Sequence, residues 1–185
     1  EVTHTLNNIL VGIKNSPKAA VCLNADCSLS VSLAEQIPNR CVFYGVDVPI
    51  YKNPTSELSD ATHCIRCKHE YDYSYRTFGH LGGFSCPQCG YKRPQPQVSV
   101  TEIVDAGISS STVRAQVFGA VENFTVNLPG GYNIYNAIGA MTVSELLGLS
   151  RSSSIAAIGS FSCGFGCMEE FTVGGKTARM ILVKN

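Results

Sequence analysis

Apolar residues fall at Leu6, Ile9, Leu10 and Ile13 between Thr5 and Lys14, the three-and-four spacing of a helix with one buried face. Asn15-Ser16-Pro17 stops it. Ala19-Ala20-Val21-Cys22-Leu23 is then a continuous apolar run, which suits a strand covered on both faces in a parallel sheet. Asn24-Ala25-Asp26 follows at its C-terminal end. Ser28 is placed to cap a helix over residues 29–36, ended before Pro38, and residues 40–45 read as a second buried strand. Strand, helix and strand in that order predict an open α/β sheet, in which ligands sit at the carboxyl ends of the strands. Asn24 and Asp26 are therefore candidate binding residues.

Further along, runs give way to alternation. Residues 98–104, 112–118 and 123–128 alternate apolar and polar positions, which predicts antiparallel strands with one wet face. Pro129-Gly130-Gly131-Tyr132-Asn133-Ile134-Tyr135-Asn136-Ala137 opens the strongest helical pattern in the chain, running through Leu147 with Gly148 as its stop. Asn133 and Asn136, three apart in the first turn, share one face. Their amides either present donors and acceptors to a planar polar ligand or serve capping and turn chemistry. A helix over residues 152–158, a glycine-rich turn over 159–166 and strands over 170–173 and 177–183 complete a mixed fold.

Between the two patterns lies Cys64-Ile-Arg-Cys67, followed after eighteen residues by Cys86-Pro-Gln-Cys89-Gly90. Two such knuckles predict a zinc ribbon, in which Cys64, Cys67, Cys86 and Cys89 close a tetrahedral shell with no open position. A closed shell makes the zinc structural rather than catalytic. The same cysteines could instead form disulfides, or one knuckle a redox pair, but Glu1-Val2-Thr3-His4-Thr5 does not resemble a secretory leader. His63, His69 and His80 could replace a sulfur and are read as ordinary polar residues of the ribbon. Tyr71, Tyr73, Tyr75, Phe78 and Phe84 crowd between the knuckles, where so small a unit needs them for packing.

Composition narrows the rest. The 185 residues suit one domain of moderate size, or one domain carrying a small insertion, and 44% hydrophobic residues suffice for a core. No apolar run reaches the length of a membrane span. Fourteen basic residues balance fourteen acidic ones, so no electrostatic footprint for nucleic acid is expected. Nine cysteines, an odd number, fit a reducing cytoplasm better than a disulfide scaffold.

Taken together, these motifs resemble the Mur ligases. Leu23-Asn24-Ala25-Asp26 after a buried strand, Gly131-Tyr132-Asn133-Ile134-Tyr135-Asn136-Ala137 opening an alanine-rich helix, and Gly164-Phe165-Gly166-Cys167-Met168-Glu169 before a final strand are similar to the family's central domain. The resemblance covers nearly the whole chain. A four-cysteine insertion containing Gly79-His80-Leu81-Gly82 and Cys86 to Pro94 narrows it to a ligase-like branch that amidates lipid II. The fold implied is α/β: part of the Mur ligase central domain (1–60 and 95–185) with an added antiparallel sheet and an inserted zinc ribbon (61–94).

The resemblance also implies nucleotide-binding roles for Asn24, Asp26, Asn133 and Asn136. It implies ATP and magnesium as cofactors of a full-length parent, lipid II as substrate and a GatD-type glutaminase as partner. ATP would activate the α-carboxylate of the stem-peptide D-glutamate as an acyl phosphate, and ammonia from glutamine would convert it to the amide. The family's Gly-x-x-Gly-Lys-Thr phosphate loop is not in this sequence. The chain is thus expected to start after that loop, to end before a C-terminal ligase domain, and to be inactive alone. Lys14, the only lysine of the first helix, is not assigned the family's carbamylated-lysine role. Cys27 and Cys167 stand where the family pattern has an acid and an arginine, and the two are expected to lie close enough for a disulfide. The competing expectation is a non-catalytic module whose ribbon recognises a protein partner. A phosphate loop upstream and a ligase domain downstream in the parent gene would favour the enzyme subunit.

Overall fold

The apolar run ending at Leu23 forms β1 (Val21–Asn24), and the second forms β2 (Cys41–Val46); they pair in parallel, Leu23 opposite Phe43. A computed structural model describes residues 2–50, 62–162 and 168–181. Helix α1 (Val2–Lys14) precedes β1, and α2 (Ser28–Leu33) joins β1 to β2. Cys27, not Ser28, occupies the N-cap of α2, in extended conformation and without a side-chain capping bond. Ser28 is instead buried in the first turn, and the helix ends three residues short of the predicted Gln36 in tight turns, Ala34 N–H to Val31 O and Gln36 N–H to Leu33 O.

Chain 62–94 occupies the connection from β2 to the third strand of the sheet, and within it β3 (Asp72–Phe78) and β4 (Leu81–Ser85) form an antiparallel hairpin. Then β5 (Val98–Ala106), β6 (Ser111–Val117) and β7 (Ala120–Val126) follow. The alternating strands add to the parallel pair. β5 pairs in parallel with β2, Tyr44 opposite Val98, and antiparallel with β6, Val98 opposite Val117, so one mixed sheet runs β1-β2-β5-β6-β7.

Alternation decides what each face meets. Val113, Ala115 and Val117 of β6 point inward, while Thr112, Arg114 and Gln116 point out. The inward set packs with Val98, Val100, Phe124 and Val126 beneath α3 (Tyr132–Leu146), whose Ile134, Ile138 and Met141 are fully buried. On β2, Tyr44 and Val46 join this cluster, whereas Phe43 packs with Leu10 of α1 and Leu23 and Leu33. The parallel part of the sheet is thereby covered on both faces and the antiparallel part on one, as the runs and the alternation predict.

Helix α3 stops at Gly148 as expected. Gly148 has φ of 70°, its N–H donates to Glu145 O at 3.1 Å, and Leu149 N–H donates to Ser144 O at 3.0 Å, the two bonds of a Schellman ending. Helix α4 (Arg151–Ser160) starts from Ser150, whose hydroxyl accepts from Ser153 N–H. A hairpin of β8 (Met168–Val173) and β9 (Lys176–Ile181) follows. Among the described residues no helix is long and apolar enough to cross a membrane. Cys167, and with it the expected approach to Cys27, lies outside the described residues.

Candidate zinc ribbon and nucleotide edge

The two knuckles close in the same way. Lys68 N–H donates to Cys64 O at 2.9 Å and Cys64 N–H to His69 O at 2.7 Å; Gly90 N–H donates to Cys86 O at 3.0 Å and Cys86 N–H to Tyr91 O at 2.8 Å. Each turn needs left-handed backbone one residue past its second cysteine, φ 65° at Lys68 and 73° at Gly90. Glycine takes this conformation freely, whereas a side chain costs on the order of 1 kcal/mol. Lys68→Gly is therefore expected to stabilise the zinc-loaded ribbon by about 0.5 kcal/mol, after the added flexibility of the unfolded chain is set against the relieved strain. Urea denaturation measures this, and a destabilised variant would show that the lysine side chain contributes more than its backbone costs.

The four sulfurs converge. Cys64 and Cys89 Sγ are 3.5 Å apart, as are Cys67 and Cys86 Sγ, and all four ligand atoms lie within 4.8 Å of one another. Thiolates about 2.3 Å from a tetrahedral zinc stand about 3.8 Å from each other, so the cluster fits that ion. A disulfide would need about 2.05 Å, and all four cysteines are free. Burial opposes ionisation of Cys64, but the backbone N–H groups of Cys67 and Arg66 hydrogen-bond its sulfur and bring its pKa down to about 6. His63, His69 and His80 do not join the cluster.

The ribbon does not stand apart from the sheet. Tyr71, Phe84 and Tyr91 stack with ring centroids 5.3 to 6.4 Å apart, and Val31 of α2 and Phe43 of β2 complete the same core. The Tyr91 hydroxyl donates to Ser28 O at 2.6 Å. At the other end, the Gly82 N–H donates to Asp26 O at 3.2 Å, and the buried Thr77 hydroxyl shares a hydrogen bond with the Tyr135 hydroxyl of α3.

Asp26 is the centre of this junction. It is fully buried; its Oδ2 accepts from Val46 N–H at 2.8 Å and from the Tyr135 hydroxyl at 2.6 Å, and its Oδ1 accepts from Arg93 Nε at 2.5 Å. Arg93, on the arm leaving the ribbon, also reaches Asp47 Oδ1 at 2.7 Å. Burial raises the pKa of Asp26 above the usual carboxylate range, against the pull of Arg93, Tyr135 and Val46. Gly45 leaves room for the pair, since a Cβ there would stand 2.6 Å from Asp26 Oδ1 and 2.7 Å from Arg93 Nη2. Asn24 folds its Oδ1 back to Asp26 N–H at 2.9 Å. Both residues thus sit at the carboxyl edge of β1 as predicted, with the Asp26 oxygens engaged inside the chain.

Asn133 and Asn136 lie elsewhere on the same helix end. Asn133 Nδ2 donates to Pro129 O at 2.6 Å, and Asn136 Nδ2 donates to Asn133 Oδ1 at 3.0 Å. Both amides line a mainly apolar cleft of about 670 Å³ between the end of β7, α3 and α4, with Ala140, Ala157 and Phe161 among its walls. Arg151, at the start of α4, ties that helix to α3 by pairing Glu145 through Nε and Nη2, each at 2.7 Å.

No protein-family model matches the chain. Its whole length aligns, at 30% identity, with the lipid II isoglutaminyl synthase (glutamine-hydrolyzing) subunit MurT of Streptococcus pneumoniae, and at 26% with that of Staphylococcus aureus. The chain is a MurT homologue. It spans about 40% of the length of these relatives. Among solved structures, a pseudomurein peptide ligase type C from Methanothermus fervidus superposes on 80% of the chain and 28% of its own, with TM-score 0.66 and 25% identity. The Mur ligase fold expected from the motifs is therefore the fold of this homologue. Sequence reasoning placed Asp26 at the sheet edge but missed its partners Arg93 and Tyr135. An arginine just past the second knuckle, in a chain with only 15% charged residues, was the available signal for one of them.

Proposed function

We propose that the chain is part of the ATP-dependent amidating subunit of a lipid II isoglutaminyl synthase. The match of the whole chain to part of two MurT subunits carries this reading. In it, the D-glutamate α-carboxylate of the lipid II stem peptide becomes an acyl phosphate, and ammonia from a GatD-type glutaminase displaces phosphate to give D-isoglutamine. Phosphoryl transfer needs the γ-phosphate held by a phosphate loop and magnesium, so the stretch described here supplies a framework and a nucleotide edge rather than turnover of its own. The zinc is structural, held by Cys64, Cys67, Cys86 and Cys89. The setting is the cytoplasm, where ATP and the precursor meet.

The shape of the cleft beside α3 supports an adenine site there. An apolar slot with two amides at its rim suits a planar ring that stacks on hydrocarbon and exchanges hydrogen bonds at its edge. Asn133→Ala and Asn136→Ala are each expected to weaken ATP binding about tenfold, the loss of one or two hydrogen bonds to a buried edge. Asn24 and Asp26 act one step back, shaping the sheet edge from which nucleotide is approached. Equilibrium binding of a fluorescent ATP analogue to the full-length protein measures this, and unchanged affinity in both variants would return the asparagines to turn chemistry. The ribbon's shared core with α2 and β2 supports the enzyme-subunit reading over a free-standing recognition module. The whole proposal is tested by supplying the full-length protein with lipid II, ATP, glutamine and the glutaminase; an amidated stem peptide is expected, and its absence from the complete mixture would overturn the reading.

A further inference from the structure

Cys27 lies at the end of the loop after β1, and its Sγ stands 3.8 Å from Nε2 of His80, in the turn between β3 and β4. The two residues are 53 positions apart, and the docking of the ribbon hairpin on the sheet edge brings them together. The thiol is only partly buried. We propose that Cys27, paired with His80, is a nucleophilic thiol that soft electrophiles modify in preference to the other described cysteines outside the zinc cluster.

The surroundings distinguish this sulfur. Burial opposes its ionisation, but His80 and the Ser30 hydroxyl hydrogen-bond it and lower its pKa to about 7. Among the described residues the Cys41 thiol donates to Asn39 O at 3.5 Å, which favours its neutral form, and burial pushes both Cys22 and Cys41 up. The other titratable and charged groups near Cys27 are Asp26 immediately before it, Tyr44 on β2, and Tyr73 on β3 with Arg76 stacked 3.9 Å over its ring. Of these, His80 is the group that can take up the thiol proton in the neutral range. Near pH 7 a larger share of Cys27 than of an ordinary buried thiol is thiolate, while the lower basicity gives back part of the gain in intrinsic nucleophilicity.

With iodoacetamide the thiolate attacks the methylene carbon; the C–S bond forms, the C–I bond breaks, and iodide leaves with the bonding pair. The thiol proton has already passed to His80 or to water, so the product is a neutral thioether. The test treats the zinc-loaded protein with limiting iodoacetamide at pH 7 and maps adducts by peptide mass spectrometry. Cys27 is expected to react about five- to tenfold faster than Cys22 and Cys41, with a rate that rises through a midpoint near 7. His80→Gln should move that midpoint up by about a unit and slow the reaction severalfold at pH 7, while leaving the rate at high pH unchanged. Cys27 reacting no faster than Cys22 or Cys41 in the unaltered protein overturns the proposal, as does a pH profile that His80→Gln leaves in place.

Discussion

Chelating the zinc is expected to strip hydrogen-exchange protection from residues 62–94 and from α2, while β5, β6, β7 and α3 stay protected. In small zinc modules, metal binding supplies on the order of 10 kcal/mol or more of folding free energy, and the ribbon has little besides Tyr71, Phe84 and Tyr91 to replace it. Helix α2 should follow because it has six residues and no side-chain cap, and because it borrows packing from the ribbon at Val31 and a hydrogen bond from Tyr91 at Ser28. Cys86→Ser, which removes one of the two buried ligands, should reproduce the pattern without chelator. Protection lost evenly across the five-stranded sheet, or not lost at all, would contradict this division.

The second large effect is expected at Asp26. Asp26→Ala takes the shared acceptor from Arg93 Nε, the Val46 N–H and the Tyr135 hydroxyl, leaving Arg93 only its contact with Asp47, and should cost about 3–5 kcal/mol. Arg93→Met alone should be nearly as damaging because it leaves the carboxylate buried without its cation. Changing both residues to apolar ones of similar size should cost less than the two single changes summed, by roughly 2 kcal/mol or more, since neither charge is then stranded. Denaturant unfolding of the four proteins provides the cycle. Additive losses would mean that the pair is held together by its surroundings rather than holding them.

Much of this molecule can be read from its sequence, for identifiable reasons. Helix α1, the paired buried strands, the three alternating strands and the Gly148 stop each follow from a local pattern, because a strand's faces and a helix's ending are decided within a few residues. The cysteine cluster is legible for the same reason, the spacing within each knuckle being local. What the chain order hides is long-range. Nothing local says that β5 pairs with β2 on one side and β6 on the other, so the alternation gives the antiparallel strands but not how they join the parallel ones. Asp26 reads as a ligand residue from its place after β1, while its true neighbours, Arg93 and Tyr135, are 67 and 109 residues away. The contact of Cys27 with His80 was likewise hidden, because it depends on how the ribbon lies against the sheet.

Amidation through an acyl phosphate is tested most directly by following an oxygen atom. With the stem-peptide α-carboxylate labelled with oxygen-18, and the full-length protein supplied with a glutaminase, glutamine and ATP, the proposed route requires an acyl phosphate to form before ammonia attacks. Each amide formed should then be accompanied by one ADP and by inorganic phosphate carrying one labelled oxygen. Amide formation that leaves the phosphate unlabelled, or label transfer that persists after the zinc is removed and the ribbon unfolded, would contradict it.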